Sequence, residues 1–325
     1  MDWRGKKVLV TGGAGFLGSN LCHALAARGA RVTALDGFLF GGGANPANLD
    51  GDGPSIELVR GDIREIDLRS LCEGATTIFN LAAQTSHMGG QRDPLADIAV
   101  NAVAQVRLIQ AAREAAPEAV VVHASTRQFY GRPQYLPVDE QHPVAPPDAN
   151  GVSKFAGEQY WMLEHRVQGR PVVSLRLTNC YGPRLRIRDA KQTFLGIWLR
   201  HALEGQPFEV WGGDQLRDMA YVDDVTSAFL AAAENPTCHG RIFNIGGSPP
   251  ISLRDIADLM VRITNGAISY TTREFPADRA SIDIGSYHAN DSAFRAATQW
   301  TPKIGLEEGI SRSLDWYRSR LGAYL

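Results

Sequence analysis

Gly12, Gly15 and Gly18 recur at every third position in "TGGAGFLG", between the β-branched run "KKVLV" and the helical pattern "SNLCHALAARG". Glycine at such spacing lets the backbone turn sharply and approach a pyrophosphate, whose charge then rests on the N-terminus of the following helix. A tight structural turn asks for the same residues, so the spacing alone does not decide. Asp36 adds to it. It ends the next apolar run, "RVTALD", about twenty residues on, where a carboxylate accepts hydrogen bonds from an adenosine ribose diol. Gly37, Phe38, Leu39 and Phe40 follow without a cation for a 2′-phosphate, which favours NAD over NADP. Asp62, in "GDI" after the third run, is placed either to meet an adenine or to cap the next helix.

These groups work only if one scaffold brings them together. The runs "KKVLV", "RVTALD", "SIELVRGDI", "TTIFNLAA", "AVVVHAS" and "PVVSLRL" have the composition of buried parallel strands. Between them lie helical stretches, among them "NAVAQVRLIQAAREA" and the first helix, where Leu21, Leu25 and Ala26 recur at helical spacing and Gly29 is the stop. Such alternation predicts an α/β, Rossmann-type doubly wound parallel sheet. After residue 180 the pattern loosens into a polar loop, "GPRLRIRDAKQ", followed by "QTFLGIWLRHALEG", "FEVWG", "YVDDVTSAFLAAAEN" and "GRIFNIGG". The expected division is a dinucleotide-binding domain over residues 1–178 that also receives about 219–245. A smaller C-terminal substrate domain takes 179–218 and 246–325. The segment "GGGANPANLDGDGP" is expected to be a mobile loop.

Composition removes several classes. At 325 residues the chain exceeds the size of most single cores, and 44% hydrophobic with 21% charged residues describes an ordinary globular enzyme. A formal net charge of -2 gives no basic field for nucleic acid and no polybasic stretch for anionic lipid. Cys22, Cys72, Cys180 and Cys238 make no CxxC pair, so neither a disulfide framework nor a metal site is expected. The chain enters its first strand without a signal-like apolar region, and no stretch has the uninterrupted apolar length of a membrane span. A cytoplasmic protein is expected.

Joined to "LAAQTS", "HASTRQFYG", "NGVSKFAGE", "RLTNCYGP" and "RDMAYVDD", which occur in that order, the glycine motif makes the chain resemble the extended short-chain dehydrogenase/reductases that act on nucleotide sugars. The likeness is to their epimerase and dehydratase branch and covers roughly residues 5–320. It implies bound NAD, with further cofactor contacts at Phe16, Leu17, Ile63, Leu81, Ala82, Ala83 and Asn101. A homodimer formed through two long sheet-flanking helices is implied as well. In that family a Ser or Thr, a Tyr and a Lys surround the sugar C4. The Lys holds the nicotinamide ribose and lowers the Tyr pKa. By position Thr126 is the hydroxyl member, Lys154 is the Lys, and Asn150 stands where the Tyr belongs.

That departure matters because Asn has no proton to exchange near neutrality and cannot be a general base. None of the nine tyrosines has a Lys four residues after it, so no second copy of the motif is hidden elsewhere. Three readings stay open. Lys154, His87 or a water ordered by Asn150 takes the proton, at a loss of about 10²–10⁴-fold. Alternatively the reaction needs no such base, or NAD and a nucleotide sugar bind without turnover. A second departure replaces the family's dehydratase Thr-Asp-Glu with Thr126, Arg127 and Gln128, which favours epimerisation over loss of water. Arg127 could stabilise an enolate or a carboxylate, or merely line the cleft.

On the substrate side, the resemblance places Arg217 and Arg279 as clamps on a diphosphate, a role suited to planar guanidinium groups. Asn179 reaches for the same diphosphate. Thr85, Ser86 and His87 follow the fourth run and face the sugar, and His87 titrates near neutrality in its unperturbed state. The expectation is an NAD-dependent nucleotide-sugar epimerase, acting at C4 through a keto intermediate. An atypical dehydratase and a silent binder of NAD and nucleotide sugar are its alternatives.

Overall fold

The computed structural model describes residues 2–39, 42–51, 53, 56–189, 193–247, 249–276 and 282–325. The six apolar runs form β1 (Lys7–Thr11), β2 (Arg31–Asp36), β3 (Glu57–Arg60), β4 (Thr77–Asn80), β5 (Val120–Thr126) and β6 (Val172–Leu177). Around them lie α1 (Phe16–Ala27), α2 (Leu68–Cys72), α3 (His87–Arg92), α4 (Pro94–Ile98), α5 (Ala104–Ala115) and α6 (Ala149–Gln168). The rest of the chain supplies β7 (Asn179–Tyr181), α7 (Phe194–Glu204), β8 (Phe208–Trp211), β9 (Leu216–Arg217), β10 (Met219–Tyr221), α8 (Val222–Glu234) and β11 (Arg241–Ile245). It closes with β12 (Ile251–Ser252), α9 (Leu253–Ile263), β13 (Tyr270–Arg273), α10 (Ser292–Thr298) and α11 (Leu306–Arg318).

Seven strands pair in parallel in the order β11-β6-β5-β4-β1-β2-β3. Both faces are covered, and the period-two geometry of a strand divides β1 between them. Val8 and Val10 pack with Leu21 and Leu25 of α1 and Phe229 of α8. Leu9 packs on the other side with Leu108 of α5 and Trp161 of α6. The chain proceeds from β1 to β2 on one flank and returns to β4 on the other, so a crevice opens at the carboxyl ends of β1 and β4. The sheet predicted from the sequence is present.

A second core gathers Leu195 and Trp198 of α7, Phe208 of β8, Ile256 of α9 and Ile310 of α11. Met219, Tyr221 and Val222 join it, although the expected boundary put them with the first domain. Phe294 and Trp300 instead return to the core of the sheet. We propose that the smaller unit is built on this second core and exchanges those elements with the first. The glycine-rich segment also departs from a mobile loop in part. Pro46–Leu49 form a 3₁₀ turn, and buried Asn48 donates to the Ala14 carbonyl and accepts from the Tyr324 hydroxyl.

Helix α6 carries both Asn150 and Lys154, and its anchoring is electrostatic. Asp148 caps it by accepting the Gly151 N–H at 2.6 Å, and Gly169 ends it in the left-handed region. One turn beyond Lys154, fully buried Glu158 takes the Arg176 guanidinium of β6 at 2.6 and 3.1 Å and the Ser174 hydroxyl at 3.0 Å. Arg176 also donates to the Tyr130 hydroxyl, which donates to Asn244 of β11. Breaking a buried pair from one side leaves an unmatched charge, so Glu158→Gln is expected to lower stability by about 3–5 kcal/mol in urea denaturation.

Candidate active site

Gly12 has φ of +69°, and a Cβ there would lie 2.8 Å from the Leu81 carbonyl carbon. A Cβ on Gly18 would overlap the Gly12 carbonyl oxygen. Both close approaches require glycine. Gly15 begins α1 without a side-chain cap, which leaves the first amides of that helix for an anion. The loop, with Phe16 and Leu17, lines a cavity of about 340 Å³ at the carboxyl edge of the sheet.

Asp36 stands on the cavity wall and accepts the Ala14 and Phe38 amides at 3.1 and 2.9 Å, while burial raises its pKa. Asp62 and Ile63 line the same end. Asp62 does not cap α2, which is capped by Asp67. Instead its carboxylate grips Arg64, with a 2.6 Å ion pair, and that hydrogen bonding holds its pKa below the ordinary range. Counting residues after Asp36 finds no cation, but the sheet supplies one. Parallel register sets Arg60 opposite Asp36, with its guanidinium 4.4 Å from the centre of the Phe38 ring.

At the other end of the cavity are Thr126, where β5 ends, and Lys154 and Asn150 from α6; Leu81, Ala82 and Ala83 form the wall between the two ends. Burial pushes the Lys154 pKa down to about 8, against the pull of Asp97 and Glu158. Asn150 is nearly fully buried and donates to the Gln84 carbonyl and to Asp97 Oδ2, both at 2.9 Å. Its two amide hydrogens are thereby used. Asn101, expected on the cofactor, lies off the cavity wall in the π-helical turn Ala99–Val103. It accepts the Gln84 N–H and donates to the Gln84 carbonyl and Asp97. Its amide clamps the peptide that receives Asn150.

Thr85, His87, Arg127 and Asn179 also reach the wall. Ser86 does not; its hydroxyl caps α3 by accepting the Gly89 N–H. Arg127 donates to Asn179 Oδ1 at 2.8 Å and lies 4.7 Å from the centre of the Tyr287 ring. Its Nη1 has no hydrogen-bond partner among the described residues. Arg217 is buried off the wall, where Nη1 donates to the Leu216 and Gly285 carbonyls and Nη2 lies 3.6 Å from Asp283. Burial lowers its pKa to about 10. Arg279 lies outside the described residues. Sequence reading missed Asp148, which caps α6 and also meets His87 Nδ1 at 2.8 Å. An Asp directly before a helical run signals only the cap.

A glycine turn at the carboxyl edge of a parallel sheet, with an acidic residue closing β2 and a Lys at the far end of one cavity, defines a Rossmann-type dinucleotide-dependent enzyme. Residues 8–246 match the NAD dependent epimerase/dehydratase family, to which the chain belongs. NAD is its cofactor, and the glycine turn and Asp36 fit that group. The chain is 32% identical over 318 residues to UDP-glucose 4-epimerase from Mycolicibacterium smegmatis, covering 97% of this chain and 99% of that one. Its fold matches UDP-glucose 4-epimerase from Thermotoga maritima, solved with UDP-glucose, with a TM-score of 0.87 at 25% identity over 97% and 99% of the two chains. UDP-glucuronic acid 4-epimerase from Bacillus cereus, solved with UDP-glucuronic acid and NAD, matches with a TM-score of 0.83 at 27% identity over 96% and 99%.

Two outcomes follow from this geometry. Gly18→Ala is expected to purify with little bound dinucleotide and to melt at lower temperature than the parent, as read by absorbance of the released cofactor and by thermal denaturation. Lys154 titrates at about 8 when folded against an ordinary 10.5. Between those values the unfolded chain binds more protons, so this residue makes stability rise with pH across that window and contributes no slope below it. Lys154→Met should abolish the rise, seen as the difference in urea midpoints between cofactor-free variant and parent.

Proposed function

We propose that this protein interconverts UDP-sugars that differ in configuration at C4, through a 4-keto intermediate. The observation that carries the reading is one cavity holding the glycine turn and Asp36 at one end and Thr126 and Lys154 at the other. NAD, when bound, supplies the reversible two-electron oxidation of the carbinol. Lys154 contributes positive charge beside the nicotinamide ribose and the developing oxyanion, and Thr126 a hydroxyl for the C4 oxygen. Arg127 and Asn179 face the phosphate or acidic portion of the substrate. The UDP part rests on the substrates named for the Mycolicibacterium and Thermotoga relatives.

Epimerisation is favoured over dehydration because the residues after Thr126 are Arg127 and Gln128. Neither can serve as the acid that expels water. Asp62, Ile63, Leu81, Ala82 and Ala83 complete the NAD wall in this reading, while Asn101 and Arg217 act from behind it.

A cytoplasmic homodimer belongs to the same proposal. No helix among the described residues is long and apolar enough to cross a membrane. Val152, Leu163 and Val167 on α6, with Leu95 on α4 and Val103 beside α5, are exposed, an apolar surface suited to a second copy.

The test is mass spectrometry of UDP-, dTDP-, GDP- and CDP-sugars after incubation with the protein in heavy water, with isomers separated by chromatography. An isomer of unchanged mass, without carbon-bound deuterium, is the expected product from the UDP series. Deuterium on carbon or loss of water would replace the reading with enolisation or elimination. No change in any sugar would leave a binding protein.

A further inference from the structure

We propose that His87, oriented by Asp148, takes and returns the proton of the sugar C4 hydroxyl, the task left vacant by Asn150. The inference rests on the epimerase reading above. Asn150 is excluded by its contacts as well as its chemistry, since its amide hydrogens are held by Gln84 and Asp97. His87 lies on the wall of the cavity that Thr126, Asn150 and Lys154 also line, with its side chain 37% exposed. It is therefore open to a ligand there.

Behind the imidazole is a built support. His87 Nδ1 lies 2.8 Å from Asp148 Oδ2, and the Asp148 side chain is fully buried. Oδ1 accepts the Gly151 N–H at 2.6 Å, and Oδ2 also accepts the Gln128 amide at 3.2 Å. Gln128 is tied in turn to the site, its backbone N–H donating to Thr126 Oγ1 at 3.1 Å. Burial works to raise the Asp148 pKa, but the hydrogen bond from His87, with those from Gly151 and Gln128, holds it below the ordinary range. Asp148 is thus an ionised acceptor. A carboxylate that only accepts makes Nδ1 the protonated ring nitrogen and leaves Nε2 with a lone pair. No described residue is hydrogen-bonded to Nε2.

The same carboxylate stabilises the imidazolium once Nε2 has taken a proton, as in a nucleophile–His–Asp triad. In the forward half-reaction the C4 O–H proton would pass to Nε2 as the C4–O bond becomes double and the C4 hydrogen departs with its bonding pair, as hydride, to the family's oxidant, NAD. In the reverse half-reaction hydride would return to the other face of C4, and the imidazolium would give its proton back to the oxygen. Charge and atoms balance. The other charged groups at this corner are Lys154 from α6, Asp97 from α4 behind Asn150, and Arg127 after β5. Asp148 is a positioning residue; His87 touches the substrate.

The alternative is a structural pair that merely docks α3 on α6, and the experiment separates the two. His87→Gln and Asp148→Asn are compared with the parent for kcat on the sugar that the panel shows to be turned over. Affinity for that sugar and for NAD is read by calorimetry, and the His87 tautomer by nitrogen-15 NMR of the cofactor-loaded protein. His87→Gln is expected to lose about 10²–10⁴-fold in kcat with both affinities kept. The parent is expected to show protonated Nδ1 and bare Nε2, and Asp148→Asn to lose that preference together with kcat. Parental kcat in His87→Gln, or a loss of kcat that only tracks a loss of sugar binding, overturns the proposal and leaves the epimerase reading standing. Parental kcat and tautomer in Asp148→Asn overturn the orienting role. A parent that isomerises no sugar removes the epimerase reading itself, and the proposal with it.

Discussion

The buried ion pair between Glu158 and Arg176 is the constraint on which the reaction end of the molecule depends. Two charges taken from water need each other and need their remaining hydrogen-bonding capacity filled, so few placements of α6 against β6 satisfy them. Ser174 and Tyr130 fill that capacity, and Asn244 extends the network to β11. A one-residue slip of α6 would turn Glu158 away from Arg176. It would turn Lys154 and Asn150 away from the cavity at the same time, because all three share the helix. Such a pair adds little net stability over an apolar core, but it permits one register.

From that register follows the electrostatic character of the site. Lys154 is held where burial weakens its grip on a proton, with Asp97 and Glu158 as its compensating charges. Asp97 is the less obvious member. Asn150 and Asn101 both donate to it, so a carboxylate with no water contact is satisfied by amides and stays within electrostatic reach of the Lys. The turn that begins α6 thus contains, within three residues, an amide with no proton to exchange and a carboxylate that orients an imidazole. His87 and Lys154, the two groups proposed for the reaction, stand on different elements, α3 and α6, and line one cavity at the sheet edge.

Much of the molecule was legible from local pattern. The glycine turn and Asp36 sit at strand ends, which follow from short-range periodicity, whereas Thr126 and Lys154 were expected only from the resemblance to a known family. What escaped was contact across elements. Asp148 carried no expectation from the sequence; it caps α6, and its second partner, His87, begins α3 sixty-one residues earlier. Asn101 carried a cofactor expectation and instead holds a peptide. Arg217 carried a diphosphate expectation, and its guanidinium is partly spent on two backbone carbonyls.

The amino-acid sequence by itself determined the parallel sheet, the glycine turn after β1 and the presence of Asn, not Tyr, four residues before Lys154, because strand composition, glycine spacing and residue identity are local properties that no packing can alter. Tertiary structure alone decided that Arg60 faces Asp36, that Asn150 spends its hydrogens on Asp97 and Gln84, and that His87 is backed by a buried carboxylate. Those outcomes depend on strand register and on the seating of α6 against its neighbours. Both are set by the buried surfaces and charges of distant segments together, a sum that no short stretch of sequence contains.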